Sequence, residues 1–173
     1  MSVARAPDQL SQFCAAEYPR LLGALSLYCG DRDVAEDVAQ ETLVRVCQHW
    51  ARVREMSSPG AWAYRVALNV AHSHFRRLRT GTRALVRHGV DEISVDCDPA
   101  ETIATRQAVA RLPKRQRQAL VLRFYLDLTI DDTAQTMGTT SASVRSLTHR
   151  AVAALRRELG ADSDFPEEPA DVY

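Results

Sequence analysis

The residues of this chain whose types and spacing could do the most chemistry lie between 129 and 150, and that chemistry is recognition of duplex DNA. Two short helices that cross and present one of them outward make four stereochemical demands. A small residue must sit where the helices touch, and Ala134 is there. The turn needs a residue that tolerates positive φ, and Gly138 follows four positions later. The second helix must point two apolar side chains inward, and Val144 and Leu147 are spaced i, i+3. Each helix needs an N-cap. Thr129, with Asp132 three residues on, serves the first, and Thr140 or Ser141 the second.

On that geometry the second helix turns Ser141, Ala142, Arg145, Ser146, His149 and Arg150 outward, with Thr140 at its start. Its first residues would meet base edges in a major groove, while Arg145 and Arg150 contact bases or phosphates. A helical hairpin packed only against protein would share part of this pattern. Agreement at four distinct positions and a basic, hydroxyl-rich outer face favour DNA.

The front half carries less. Trp62, Tyr64 and Phe75, interleaved with Arg65, Arg76 and Arg77, could form a stacking platform for single-stranded nucleic acid. Aromatic residues at helical spacing also serve as core, and Trp62 and Phe75 fit that use. Asp37 and Glu41 form an acidic i, i+4 pair on a polar face, better suited to protein docking than to acid–base work. No Ser/His/Asp set, Cys/His pair or phosphate-binding loop is evident, so the chain reads as a non-enzyme with no cofactor. His49, His72, His74, His88 and His149 show no metal-ligand pattern. Four separated cysteines form no C-x-x-C pair; Cys14, Cys29 and Cys47 fall on helical positions and read as buried free thiols, and Cys97 lies apart.

Helices must position these groups. Asp8 can cap a first helix with Leu10, Phe13, Cys14, Leu21, Leu22, Leu25 and Tyr28 on one stripe; Pro19 is expected to kink or restart it, and Gly30 to end it. Asp31 or Asp33 caps a second, whose apolar side is Val34, Val38, Leu43, Val46, Cys47 and Trp50. Ser58 and Pro59 open a third, ending in Arg76, Arg77 and Arg79. A further helical block runs from about Glu101 to Leu159. No strand pattern or repeat appears. The expectation is an all-α protein of two small helical domains, residues 1–80 and 105–160, joined by a flexible acidic linker at 81–104 and followed by an acidic, disordered tail at 161–173.

Charge supports that division. The 173 residues hold 22 basic and 22 acidic side chains, yet the balance is not local. Residues 56–90 carry six arginines and no acid, 91–101 carry five acids and no base, and 102–160 have ten bases against four acids. Two cationic blocks separated by an acidic one read as two surfaces for a polyanion. With no apolar run of bilayer length and no signal-peptide core near Met1, a cytoplasmic protein without membrane contact is expected.

Three stretches, in order, resemble the bacterial extracytoplasmic-function sigma factors, group 4 of the sigma-70 family. Residues 33–46 resemble that family's D-A-E-D-x-x-Q-E helix, residues 59–71 its W-L-x-R-I-A-x-N-x-A helix, and Leu112-Pro113 through Arg117 and Leu120 its L-P-x-x-x-R opening before the helix-turn-helix. The resemblance implies a promoter-specific initiation factor that binds RNA polymerase core and nucleates melting. Asp37, Gln40, Glu41 and Arg45 would dock on the clamp helices of β′. Arg52, Arg54, Ser57, Trp62, Arg65, Asn69, His72, Arg76 and Arg77 would receive the minus-ten element, with a flipped base captured at the 52–58 loop. The helix-turn-helix would read the minus-thirty-five element, the surface around Leu120, Val121 and Phe124 would pack internally or on the β flap, and an anti-sigma factor is an implied regulator. His72 and Ser73 stand where the family often has arginine and aspartate, Asp132-Thr133-Ala134 replaces a glutamate before Ile-Ala, and residues 139–143 lack the usual Gly-Thr or Gly-Ala pair. Promoter sequence is therefore not carried over. A helix-turn-helix repressor or activator with a helical dimerisation domain is the alternative; it requires self-association and no polymerase affinity.

Overall fold

The computed structural model describes residues 8–80 and 99–160, all of them helical or in short connections between helices. In chain order the elements are α1 (Gln9–Cys29), α2 (Arg32–Val53), α3 (Pro59–Thr80), α4 (Pro99–Arg111), α5 (Lys114–Leu120), a π-helical turn (Val121–Tyr125), α6 (Ile130–Met137) and α7 (Ser141–Leu159). Helix α4 begins inside the stretch read as linker; the rest of that linker and the acidic tail lie outside the described residues.

The caps follow the local chemistry. Asp8 accepts from the Ser11 amide at 2.8 Å, and its carboxyl sits below the usual range because the charged form takes that bond. Of the two candidates for α2, Asp31 is the cap, accepting from the Val34 amide. Gly30 ends α1 at φ 71°, a left-handed conformation costly for any residue with a Cβ. Pro19 lies inside one continuous α1, so of the two outcomes expected from sequence, a kink or a restart, the restart does not occur. Proline leaves the carbonyl four residues back without its helical donor. Here Ala15 and Pro19 both face solvent, so water can take that carbonyl.

Leu21, Ala24, Leu25 and Tyr28 form the buried stripe of α1, meeting Val38 and Ala39 of α2 and Ala67, Leu68 and Ala71 of α3. That core does not stop at the front half. Val121, Leu122, Leu126, Ile130, Ala134 and Met137 belong to the same cluster, so the two halves are packed together. A second cluster binds α4, α5 and α7 through Val109, Leu112, Leu120, Ala151 and Leu155. Leu120 and Val121 are buried and Phe124 half-buried, which is the internal option for that surface.

Three polar or aromatic devices reinforce the joint between the halves. The Arg117 guanidinium donates to the Tyr28 carbonyl at 2.8 Å and to the carbonyls of Ala110 and Leu112, closing the ends of α1 and α4 at once. Lys114 Nζ stands 4.1 Å from the Phe75 ring centre. The Tyr125 ring lies over Gly23 so closely that a Cβ there would fall 1.8 Å from its hydroxyl oxygen. Gly23→Ala is therefore expected to evict the exposed Tyr125 ring while leaving α1 helical, because only the movable end of a side chain is in the way. Circular dichroism should be unchanged and the rate of iodination at Tyr125 should rise as the ring leaves Gly23; an unchanged rate would refute the contact.

Candidate nucleic-acid interface

The helix-turn-helix takes the geometry its residues demand. Thr129 accepts from the Asp132 amide at 3.0 Å and donates to the Asp132 carboxylate at 2.8 Å. Ala134 is buried at the crossing, and Gly138 closes α6 at φ 60°, followed by the Thr139 amide donating to the Ala134 carbonyl. Val144 is fully buried and Leu147 half-buried beneath α7.

Ala142, Arg145, Ser146, His149 and Arg150 are all exposed, and their spacing gives one continuous face. The two hydroxyls predicted beside them are committed elsewhere. Thr140 is the cap of α7, accepting from the Ser143 amide, and the half-buried Ser141 donates to Asp131 at 2.6 Å. They hold the reading helix in place, leaving Arg145, Ser146, His149 and Arg150 as the free polar groups of the face.

On α3, Trp62, Arg65, Asn69, His72 and Arg76 follow at intervals of three and four, making a second stripe that starts beside the 52–58 loop. Arg52, Ser57, Asn69, Arg76 and Arg77 are exposed; Arg54 is exposed but paired with Glu55 at 3.0 Å. Trp62 is half-buried with its ring edge-on to His49, centroids 6.2 Å apart. The aromatic platform is smaller than its sequence allows. Tyr64 is buried and donates to Glu17 at 2.8 Å, and the half-buried Phe75 packs on Tyr28 and beside Lys114, while the half-buried Trp62 is the ring nearest in sequence to the 52–58 loop.

Helix α2 presents Asp37 and Gln40 to solvent, with Glu41 and Arg45 joined across one turn at 2.5 Å. Between them stands Val44, 54% exposed, which sequence periodicity did not single out. Among the described residues no group of histidines, cysteines and carboxylates could hold a metal ion. No helix of the described residues is long and apolar enough to cross a membrane.

Residues 14–80 match Sigma-70 region 2, and residues 103–155 match Sigma-70, region 4. The chain is 31% identical over 140 residues to the ECF RNA polymerase sigma factor SigL of Mycobacterium tuberculosis, across 76% of this chain and 79% of that protein. It belongs to the sigma-70 family. Against the ECF RNA polymerase sigma factor BldN of Streptomyces coelicolor this sigma factor is 28% identical over 142 residues, and it spans only 54% of BldN and 66% of the related SigD. Its fold matches that of sigma factor RpoE solved with the anti-sigma factor NepR from Bartonella quintana: TM-score 0.72, 21% identity, 87% of this chain and 96% of that one. CnrH, solved with the cytosolic domain of CnrY, gives a TM-score of 0.63 at 21% identity, over 89% of each chain.

Within this sigma factor one residue of the α3 stripe is also held by the joint. His72 Nε2 lies 2.8 Å from the Tyr28 hydroxyl, which burial pushes up to about 12 and keeps neutral. Burial, and then the charges of Lys114 and Arg115, hold His72 below its ordinary value. The unfolded chain takes up a proton near pH 6.5, the packed chain only further down. The stabilisation is thus complete above that value and is lost as pH falls through it toward the depressed pKa. Between about pH 7.5 and about pH 5.5 the urea midpoint of the wild type is expected to fall more steeply than that of His72→Gln. Equal pH dependence would contradict this role.

Proposed function

We propose that this chain is a promoter-specific transcription initiation factor of the extracytoplasmic-function group, acting in the cytoplasm on RNA polymerase core. Residues 1–80 bind the polymerase and the minus-ten element, 81–104 link, and 105–160 bind the minus-thirty-five element; the matched ranges 14–80 and 103–155 support that division. The observation that carries the reading is the pairing of a capped helix-turn-helix face with the second basic stripe on α3 in one chain.

The mechanism is binding free energy. Arg145, Ser146, His149 and Arg150 read base edges or phosphates from the major groove, with Ala142 close to the bases and Thr140 and Ser141 supporting. Trp62 stacks on a base released from the duplex, and Arg52, Arg54, Ser57, Arg65, Asn69, His72, Arg76 and Arg77 bind the strand around it. That capture offsets the few kcal/mol of unpairing. Asp37, Gln40, Glu41 and Arg45 dock on the β′ clamp helices, with Val44 as an apolar anchor at their centre.

Geometry adds a requirement. Two elements 25 base pairs apart are separated by ~85 Å of B-form axis, at 3.4 Å per pair. A compact fold of ~135 residues has a radius of gyration of ~14 Å. The halves must therefore part before both elements are engaged. Parting frees Val121 from α1 for the β flap, and it opens the joint to an anti-sigma factor that would hold the halves; RpoE, one of the structural neighbours, was solved with the anti-sigma factor NepR.

Asp37→Ala is expected to weaken core binding about tenfold, ~1.4 kcal/mol. A labelled-core titration against wild type and Asp37→Ala, with circular dichroism to confirm folding, measures it. Equal affinities would remove α2 from the docking surface.

A further inference from the structure

Gly60, Trp62 and Tyr64 are alternate residues in the opening turns of α3, directly after the 52–58 loop. At about 3.6 residues per turn, Gly60 and Tyr64 stand one above the other and Trp62 falls on the opposite side of the helix. The two sides meet different neighbours. Trp62 is edge-on to His49 of α2. The Gly60–Tyr64 side meets Glu17, a half-buried carboxylate of α1 that accepts from the Tyr64 hydroxyl through Oε2 at 2.8 Å. Gly60 gives that carboxylate its room, since a Cβ there would stand 3.3 Å from Glu17 Oε1 and 3.6 Å from Oε2.

A carboxylate drawn partly out of water is costly unless a donor or a dipole meets it. Glu17 has both. Burial, and then the bond to Glu17, raise Tyr64, so its hydroxyl keeps its proton and remains the donor. Gly60 is the second residue of α3, which puts the carboxylate at the positive end of that helix. The Tyr64 ring alone would fill its place in the core. Its hydroxyl adds a directional bond, which fixes where the ring sits along α1.

We propose that Glu17 is a positioning residue for Trp62: by holding Tyr64 against Gly60 it sets the height and rotation of the opening turn of α3 on α1, and with them the direction in which the Trp62 ring meets a released base. The meeting with a base rests on the initiation reading; the placement of Trp62 does not. Without Glu17 the turn keeps the His49 contact and the 3.3 Å bond from the Trp62 amide to the Ser58 carbonyl. Neither sets the rotation of α3 against α1. The incoming strand must then order the ring itself, so opening weakens while the reading helix α7 works as before.

The test labels the full chain with fluorotryptophan. Its two tryptophans, Trp50 and Trp62, give two fluorine resonances, and Trp50 on α2 serves as the internal control. Glu17→Ala and Tyr64→Phe are expected to move the Trp62 line and leave the Trp50 line. Glu17→Gln, whose amide oxygen still accepts from the hydroxyl, leaves both in place. An unmoved Trp62 line in Glu17→Ala, or two lines moved alike, would overturn the proposal. The second readout is opening, with core polymerase, of a promoter recovered by run-off transcription and carrying a fluorescent base analogue in its minus-ten element. Glu17→Ala and Tyr64→Phe should open it about tenfold less, the size of one hydrogen bond to a charged acceptor. The double variant should lose no more than either single change, Glu17→Gln should stay near wild type, and affinity for a minus-thirty-five duplex should be unchanged throughout. Additive losses, or an equal loss in Glu17→Gln, would also overturn it. A Trp62 line that moves as expected in a protein that opens no promoter even as wild type would instead sink the initiation reading and leave the placement of Trp62 standing.

Discussion

Replacing Arg117 by methionine is expected to destabilise the packed molecule by about 1.5–3 kcal/mol, the range for hydrogen bonds made by a charged group. Methionine keeps most of the stem, so the change isolates the guanidinium and its bonds to the carbonyls of Tyr28, Ala110 and Leu112. Those carbonyls end helices α1 and α4, where no further turn supplies a donor. Burial already lowers the Arg117 pKa, so the charged guanidinium sits at a desolvation cost that its bonds to these carbonyls offset. Urea denaturation measures the effect as a lower midpoint. A variant within about 0.5 kcal/mol of wild type would show that the apolar contacts alone hold the two halves together.

The second large effect is at the reading helix. Arg145→Ala should cost about 1–3 kcal/mol on a minus-thirty-five element, five- to 150-fold in affinity, when its guanidinium spans a guanine edge. Arg145 is exposed on the outer face of α7 and carries no internal structural duty in the packed molecule, so folding should be untouched. Arg150→Ala, if that side chain meets phosphate, should weaken all sequences alike and flatten the salt dependence by about one unit. Fluorescence anisotropy on specific and scrambled duplexes at several salt concentrations separates the two. Uniform loss from Arg145→Ala would move that residue from base to backbone contact.

Much of this was legible in the residues. A cap, a small residue, a glycine and a pair of apolar positions fix a helix-turn-helix locally, because each demand is met within a few residues of chain. The same holds for the α2 polar face and the α3 stripe, which are pure periodicity. What escaped depends on distant partners. Arg117 looked like one more basic residue until α1 and α4 ended beside it. Tyr64 looked available for stacking, but Glu17, 47 residues away, accepts its hydroxyl inside the core. Pro19 looked like a break, yet only its solvent exposure decides whether the orphaned carbonyl matters. The π-helical turn at Val121–Tyr125 left no sequence signal. It turns Arg123 inward to donate to the Leu128 carbonyl and sets Tyr125 against Gly23, both long-range outcomes of packing. Cys47 fell on an apolar stripe and still faces solvent.

The central claim is that this chain works by holding polymerase and opened promoter DNA in fixed relation, donating no reactive group of its own. Run-off transcription from a promoter library, using purified core polymerase with and without the protein, addresses it directly. The account predicts discrete start sites that appear only when the protein is present. Identical transcripts in both reactions would contradict it.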